Sequence, residues 1–148
     1  MQLTIDSALK KILNKNRAKR IVVVGTTCTG KSSLVREISG AEDMDQLVFP
    51  KLSKAESDYV CQTPWTPEIG KKMTDLTRQK IQVRPGHPVF GTVVLEADLV
   101  VYLKISDELL AKRARLRRVN FNDAKHMQSQ IEKEVSAAGV PVITLDVR

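Results

Sequence analysis

One stretch of the chain combines residue types and spacing that together do recognisable chemistry. Gly25-Thr26-Thr27-Cys28-Thr29-Gly30-Lys31-Ser32 satisfies the pattern G-x-x-x-x-G-K-[ST] at every position. The glycines let the backbone curl tightly, so that successive N–H groups converge on a phosphate. Lys31 is the mobile point charge that reaches β- and γ-phosphates, and the Ser32 hydroxyl is a ligand for the Mg2+ that bridges them. The bound group implied is Mg-ATP, contacted by Gly25, Thr26, Thr27, Cys28, Thr29, Gly30, Lys31, Ser32 and the adjoining Ser33. No N-K-x-D motif that would read a guanine base stands out, so ATP is expected rather than GTP. At Cys28 only the backbone N–H is needed, and the side chain reads as a small filler, with a reactive thiol as the alternative. A chance match in an ordinary turn is the competing reading of the whole stretch, and its neighbours argue against it.

Those neighbours are the elements that must position the loop. The β-branched run Ile21-Val22-Val23-Val24 predicts a buried strand running into it, and Lys31 to Ser39 predicts a helix leaving it. Upstream, Ala8, Leu9, Ile12 and Leu13 recur at helical spacing, with Asp6 or Ser7 available as a cap. The basic cluster Arg17-Ala18-Lys19-Arg20 then reads as a solvated connector, with a nucleic-acid contact as the alternative. Downstream, Gly40 is a helix stop, Glu42-Asp43-Met44-Asp45 an acidic turn, and Leu47-Val48-Phe49 a short strand closed by Pro50.

Residues 51 to 67 are polar and loop-like, the place where a second substrate would enter, and Trp65 there could stack on a planar molecule or pack beneath the loop. Thr66-Pro67-Glu68 starts a helix that continues to Lys80. Ile81-Gln82-Val83 predicts another short strand, halted by Arg84-Pro85-Gly86, with a turn or short helix through Gly91 to Ala97. Reading Val89 to Leu95 as a strand would demand a hairpin, which a parallel sheet disfavours. Leu99 to Leu103 is a clear strand, Ser106 caps a helix ending in the basic run Lys112 to Arg118, Asn122 caps a last helix, and Val140 to Leu145 closes the chain. Alternating strands and helices predict a single α/β domain, three layers deep, with a central parallel sheet and ligands at the strands' carboxyl ends.

The chain has 148 residues, enough for one domain with a real core. Lys and Arg outnumber Asp and Glu by 24 to 17, giving a formal charge of +7, which favours polyanionic ligands without choosing among them. Two cysteines do not make a disulfide framework and point to a reducing, cytoplasmic setting. No run is apolar enough to span a membrane, and Met1-Gln2-Leu3-Thr4 lacks the layout of a signal peptide.

With these pieces in place the chain resembles the nucleoside and nucleotide kinase group of P-loop proteins, which includes adenylate, shikimate and gluconate kinases. The resemblance rests on the loop at 25 to 32, on Ala97 to Leu103 followed by Glu108-Leu109-Leu110 and Arg113, and on Val140-Pro141-Val142-Ile143. It implies that Arg113 stacks on the adenine and that Arg117 meets the phosphates in a catalytic role, although Lys112 to Arg118 also reads as a solvated basic face. Asn122-Asp123 resembles the motif that closes a mobile lid, and the three residues before it leave room only for a short one. Two features of the group are missing: an Asp at the end of the third strand, where Gln82, Val83 and Arg84 stand, and an arginine on the final helix.

The leading expectation is a small-molecule kinase that transfers the γ-phosphoryl group of Mg-ATP to a nucleoside, nucleotide or similar metabolite. Arg78, Arg84 and His87 are the acceptor-site candidates, each of which also reads as an ordinary surface or turn residue. The alternatives are a nucleotide-binding regulatory or nucleic-acid-associated module, and a simple NTPase with no acceptor.

Overall fold

The structure is a computed structural model that describes residues 4–64 and 66–148. The role considered for Trp65 therefore lies outside the described residues. In chain order the elements are α1 (Ile5–Lys15), β1 (Ile21–Val24), α2 (Lys31–Glu37), β2 (Glu42–Asp43), α3 (Met44–Val48), a 3-10 turn (Phe49–Lys51), α4 (Lys54–Val60), α5 (Pro67–Lys80), β3 (Val89–Gly91), β4 (Leu99–Ile105), α6 (Asp107–Arg117), α7 (Phe121–Ser136) and β5 (Val142–Val147). The five strands form one all-parallel sheet in the order β2-β3-β1-β4-β5.

Central β1 has partners on both edges and helices on both faces, so all four of its residues are buried. An uninterrupted β-branched run suits that position, because a doubly covered parallel strand has no polar face to show. One face of the sheet packs Ile21, Val23, Val101 and Leu103 against Leu9 and Leu13 of α1, Leu34 of α2 and Leu110 of α6. The other packs Val22, Val24, Val100 and Tyr102 against Met44 and Val48 of α3, Ile81 and Ile131. Helices on both faces make a three-layer α/β fold. Burying Leu9 and Leu13 is what holds α1 to the domain, each contributing about 1.5–3 kcal/mol. Among the described residues no helix is long and apolar enough to cross a membrane.

The middle of the chain departs from the sequence reading, and for one reason. Val89–Gly91 is a strand after all, lying between β1 and β2 and parallel to both. It needs no hairpin, because a crossover through α5 brings the chain back to the amino edge before β3 begins. Ile81 and Val83 are buried but belong to the connection and not to the sheet. Leu47 and Val48 are helical, and the short strand falls earlier, at Glu42–Asp43, inside what reads as an acidic turn.

At the other end, Asn120 caps α7 where Asn122 was expected, its side chain accepting from Asp123 N at 3.0 Å. The last strand runs two residues later than its sequence suggests, because Pro141 donates no amide hydrogen and pairing begins at Val142. The caps at Thr66 and Ser106 form as expected.

Candidate functional site

The residues of the 25–32 motif form one connected structure at the carboxyl end of β1. Gly25 N donates to Gly91 O at 3.2 Å, extending the β1–β3 pairing by one step. A Cβ at Gly25 would stand 2.9 Å from Thr29 Oγ1 and 3.1 Å from Leu103 Cβ, so the close approach of β4 requires glycine. Thr26, fully buried, donates from Oγ1 to Ala124 O at 2.6 Å and so ties the loop to α7. Thr29 Oγ1 closes the curl by donating to Thr26 O at 2.8 Å.

Two residues turn the chain through the left-handed region, Cys28 at φ +70° and Gly30 at φ +91°. Gly30 takes this conformation without strain. Cys28 does not, and a non-glycine residue there costs about 1–2 kcal/mol. Its buried side chain, packed in the same core face as Leu34, offsets part of that cost. The filler reading of Cys28 thus agrees with its surroundings.

Lys31 opens α2 and folds back over the loop. Its Nζ donates to Gly25 O at 2.6 Å, to Thr26 O at 2.7 Å and to Thr29 Oγ1 at 3.3 Å. Burial lowers its pKa to about 8, against the opposing pull of Asp45 and Asp43. Ser32 and Ser33 are exposed in the first turn of α2, whose N-terminus carries no side-chain cap. Arg113 on α6 donates from Nη1 to Cys28 O at 2.9 Å and from Nη2 to Arg148 O at 3.3 Å, so one guanidinium joins the loop to the end of β5. Arg117 lies one helical turn further and is exposed.

A cleft of about 550 Å³ opens beside the loop, lined by Thr29, Gly30 and Ser33 of the motif and by Arg113, Leu116 and Arg117 of α6. Ile5 and Asp6 of α1, Leu34 and Glu37 of α2, and Val147 and Arg148 complete its wall. That size lies within the range of small-ligand sites. A second hollow of about 560 Å³ lies at the opposite end of the sheet among Lys10, Arg17, Lys19 and Pro88 and contains none of the loop residues.

The acceptor candidates are elsewhere. Because Arg84-Pro85-Gly86-His87 precedes β3 and does not follow a strand, it sits at the sheet's amino end, away from the loop. Arg84 pairs with Glu42 at 3.4 Å, and His87 Nδ1 lies 3.3 Å from Gly40 O. Arg78 is held by Val94 O and by Glu134 of α7. A strand assigned eight residues too early reversed the end of the sheet on which this turn falls.

What the sequence reading passed over is the pair Asp43 and Asp45, taken as part of a turn. Asp43 ends β2, on the same side of the sheet as the loop, and its Oδ1 accepts from Asp45 N at 2.9 Å and Gln46 N at 3.2 Å. Burial first, then the charge of Asp43, raises the pKa of Asp45, while Lys31 pulls it down. The available signal was a carboxylate ending the two-residue strand, which is too short to recognise from periodicity.

The group at this loop that the motif implies is a nucleotide phosphate with Mg2+, and the residues fit it. Added space at Gly30 is open, with no atom within 4 Å of a built Cβ. Among the described residues no three His, Cys, Asp or Glu side chains converge as a metal site. Magnesium does not require one, since it commonly takes phosphate oxygens, waters and one or two protein oxygens. No protein-family model matches the chain, and no curated protein is similar enough to count as a relative.

Proposed function

We propose that this chain is a P-loop protein that binds Mg-ATP and transfers its γ-phosphoryl group to a nucleoside, nucleotide or similar small metabolite. The observation that carries this reading is the Lys31 ammonium held by Gly25 O and Thr26 O beside the left-handed Gly30, at the carboxyl end of a central parallel strand. A cation held only by neutral oxygens can exchange them for phosphate oxygens and gain charge-assisted hydrogen bonds. Ser32 and the phosphates would hold Mg2+, with Asp43 and Asp45 on the same side of the sheet. Bound there, the metal would neutralise charge developing on the transferring group.

For the acceptor, the same two carboxylates are better placed than Arg78, Arg84 or His87. Phosphoryl transfer depends chiefly on in-line positioning, and a carboxylate at the acceptor can orient a hydroxyl and take its proton. Arg117, on the cleft wall, supplies positive charge near the phosphates. The free thiols of Cys28 and Cys61 agree with a reducing, cytoplasmic setting.

One observation favours the simple NTPase as a second reading. Only Arg118, Val119 and Asn120 separate α6 from α7, with Val119 N bonded back to Ala114 O at 2.8 Å, so no lid lies between these helices. A site without a lid admits water as the acceptor.

Calorimetry with Mg-ATP on the wild type and on Lys31→Ala tests the common core. Tight binding by the wild type and its loss in the variant are expected. Absence of binding to both would sink the proposal. Phosphate release without an acceptor, compared with transfer to a panel of hydroxyl compounds, separates the two readings.

A further inference from the structure

The hollow of about 560 Å³ at the amino end of the sheet takes no part in the phosphate chemistry of the loop. Three segments line it: the second half of α1 with the turn that follows, the end of α2, and the residues that lead into β3. Among its lining side chains Lys10, Arg17 and Lys19 are cations, and Glu37 is the one carboxylate. Asn14, Asn16 and Ser39 add hydrogen-bonding groups.

The fold leaves these cations without a counter-charge. Among the described residues none of the three forms an ion pair, and Arg17 donates only to the neutral Oδ1 of Asn14, at 3.1 Å. The turn that carries Arg17 and Lys19 is nevertheless fixed. Asn16 N donates to Leu13 O at 3.2 Å and Lys19 N to Asn16 O at 3.0 Å, while Asn16 Nδ2 donates to Ile12 O at 2.8 Å.

The charge also runs past the hollow. From residue 10 to residue 20 the chain carries Lys10, Lys11, Lys15, Arg17, Lys19 and Arg20 with no acidic residue, and of these only Arg20 pairs with carboxylates. A small anion needs the hollow alone, whereas an extended polyanion uses the run as well. The lining also discriminates among polyanions. It has no exposed apolar side chain to enter a bilayer, since Leu13, Ile21 and Pro88 are buried and Ile38 is half-buried. It has no aromatic ring on which unpaired bases could stack. Charge and amide hydrogen bonding remain, the contacts that proteins make to a sugar-phosphate backbone.

We propose that this hollow and the basic run beside it form a nucleic-acid site, in which Lys10, Arg17 and Lys19 bind phosphates of a duplex backbone without reading its sequence. It is a second site, at the opposite end of the sheet from the loop, and it stands whether or not the loop binds a nucleotide.

Fluorescence anisotropy of a labelled random-sequence DNA duplex, titrated with the full chain at a series of salt concentrations, gives the test. Three phosphate contacts should give log affinity against log salt a slope of about −2.7 or steeper, a loss of roughly 40-fold between about 50 and 200 mM salt. The triple variant Lys10→Gln, Arg17→Gln, Lys19→Gln should bind about tenfold or more weakly and flatten that slope by about 2–3. A matched variant, Lys71→Gln, Lys72→Gln, Lys133→Gln, removes the same charge from exposed positions on α5 and α7 and should bind like the wild type. Melting curves check that both variants fold. Absence of duplex binding by the wild type, or unchanged affinity in the folded hollow variant, overturns the proposal. Equal losses in the two variants assign the binding to net charge and overturn it too, as does binding to phosphatidylserine vesicles in place of the duplex.

Discussion

The cations around the loop at the carboxyl end of the parallel sheet are held differently from two at its amino end. At the amino end, Arg20 is bonded by Asp98 at 3.0 Å with Glu96 at 3.7 Å, and Arg84 meets Glu42. At the carboxyl end, Lys31 and Arg113 donate to backbone carbonyls of the loop and of Arg148. A cation matched by a carboxylate has its charge satisfied within the fold. One held by carbonyls keeps its charge available to an incoming anion, and Asp43 and Asp45 act on Lys31 only from a distance. On the proposed function, the difference separates cations that stabilise the domain from cations that would serve a ligand.

The largest expected break in that contrast comes from Lys31→Ala. It should weaken Mg-ATP binding about a hundredfold, as expected when several charge-assisted hydrogen bonds disappear. Melting temperature should hold or rise, because a part-buried, partly desolvated charge is removed, and calorimetry with parallel melting curves checks both. A fall in stability with binding intact would place Lys31 among the structural cations.

Next in size is Gly25→Ala. Its methyl group would press on Thr29 and on the Leu103 backbone, costing about 1–3 kcal/mol in urea unfolding and disordering the loop. Thr26→Val keeps shape but deletes the 2.6 Å bond to Ala124 O, and should cost about 1–2 kcal/mol.

The pH dependence sharpens the comparison further. The folded pKa of Lys31 is about 8, below the unfolded value of 10.5. Between these values the unfolded chain binds more protons, so the lysine's unfavourable contribution is fully present below pH 8 and is relieved as pH rises to 10.5. Bound phosphate favours the charged amine, so nucleotide affinity should fall as pH rises through about 8. Titration calorimetry across that range should show the fall in the wild type and a flatter profile in Lys31→Ala.

Arg20→Ala, at the amino end, should have the smallest effect. A slight drop in melting temperature with unchanged nucleotide affinity is expected, since its ion pairs are solvent-exposed. A marked loss of affinity would erase the distinction between the two ends.

How much of this could be read in advance differs between local and long-range features. The loop, its strand and its helix were legible because glycine positions, a lysine and a β-branched run are local signals. The caps at Thr66 and Ser106 were legible for the same reason. Val89–Gly91 was not, since three residues give no period, and what makes them a strand is pairing with β1 and β2 on either side.

The site divided in the same way. Composition and motif determined the phosphate-binding loop pattern, the α/β alternation and the basic balance, all properties of neighbouring residues or of sums over the chain. Only the tertiary structure decided that Arg84 and His87 face away from the loop, that Asp43 and Asp45 share its side, and that Ile5 and Asp6 wall its cleft. The physical reason is that a parallel sheet assigns every connection to one end or the other. That assignment follows from which segments pair as strands, a long-range choice that no short stretch of sequence contains.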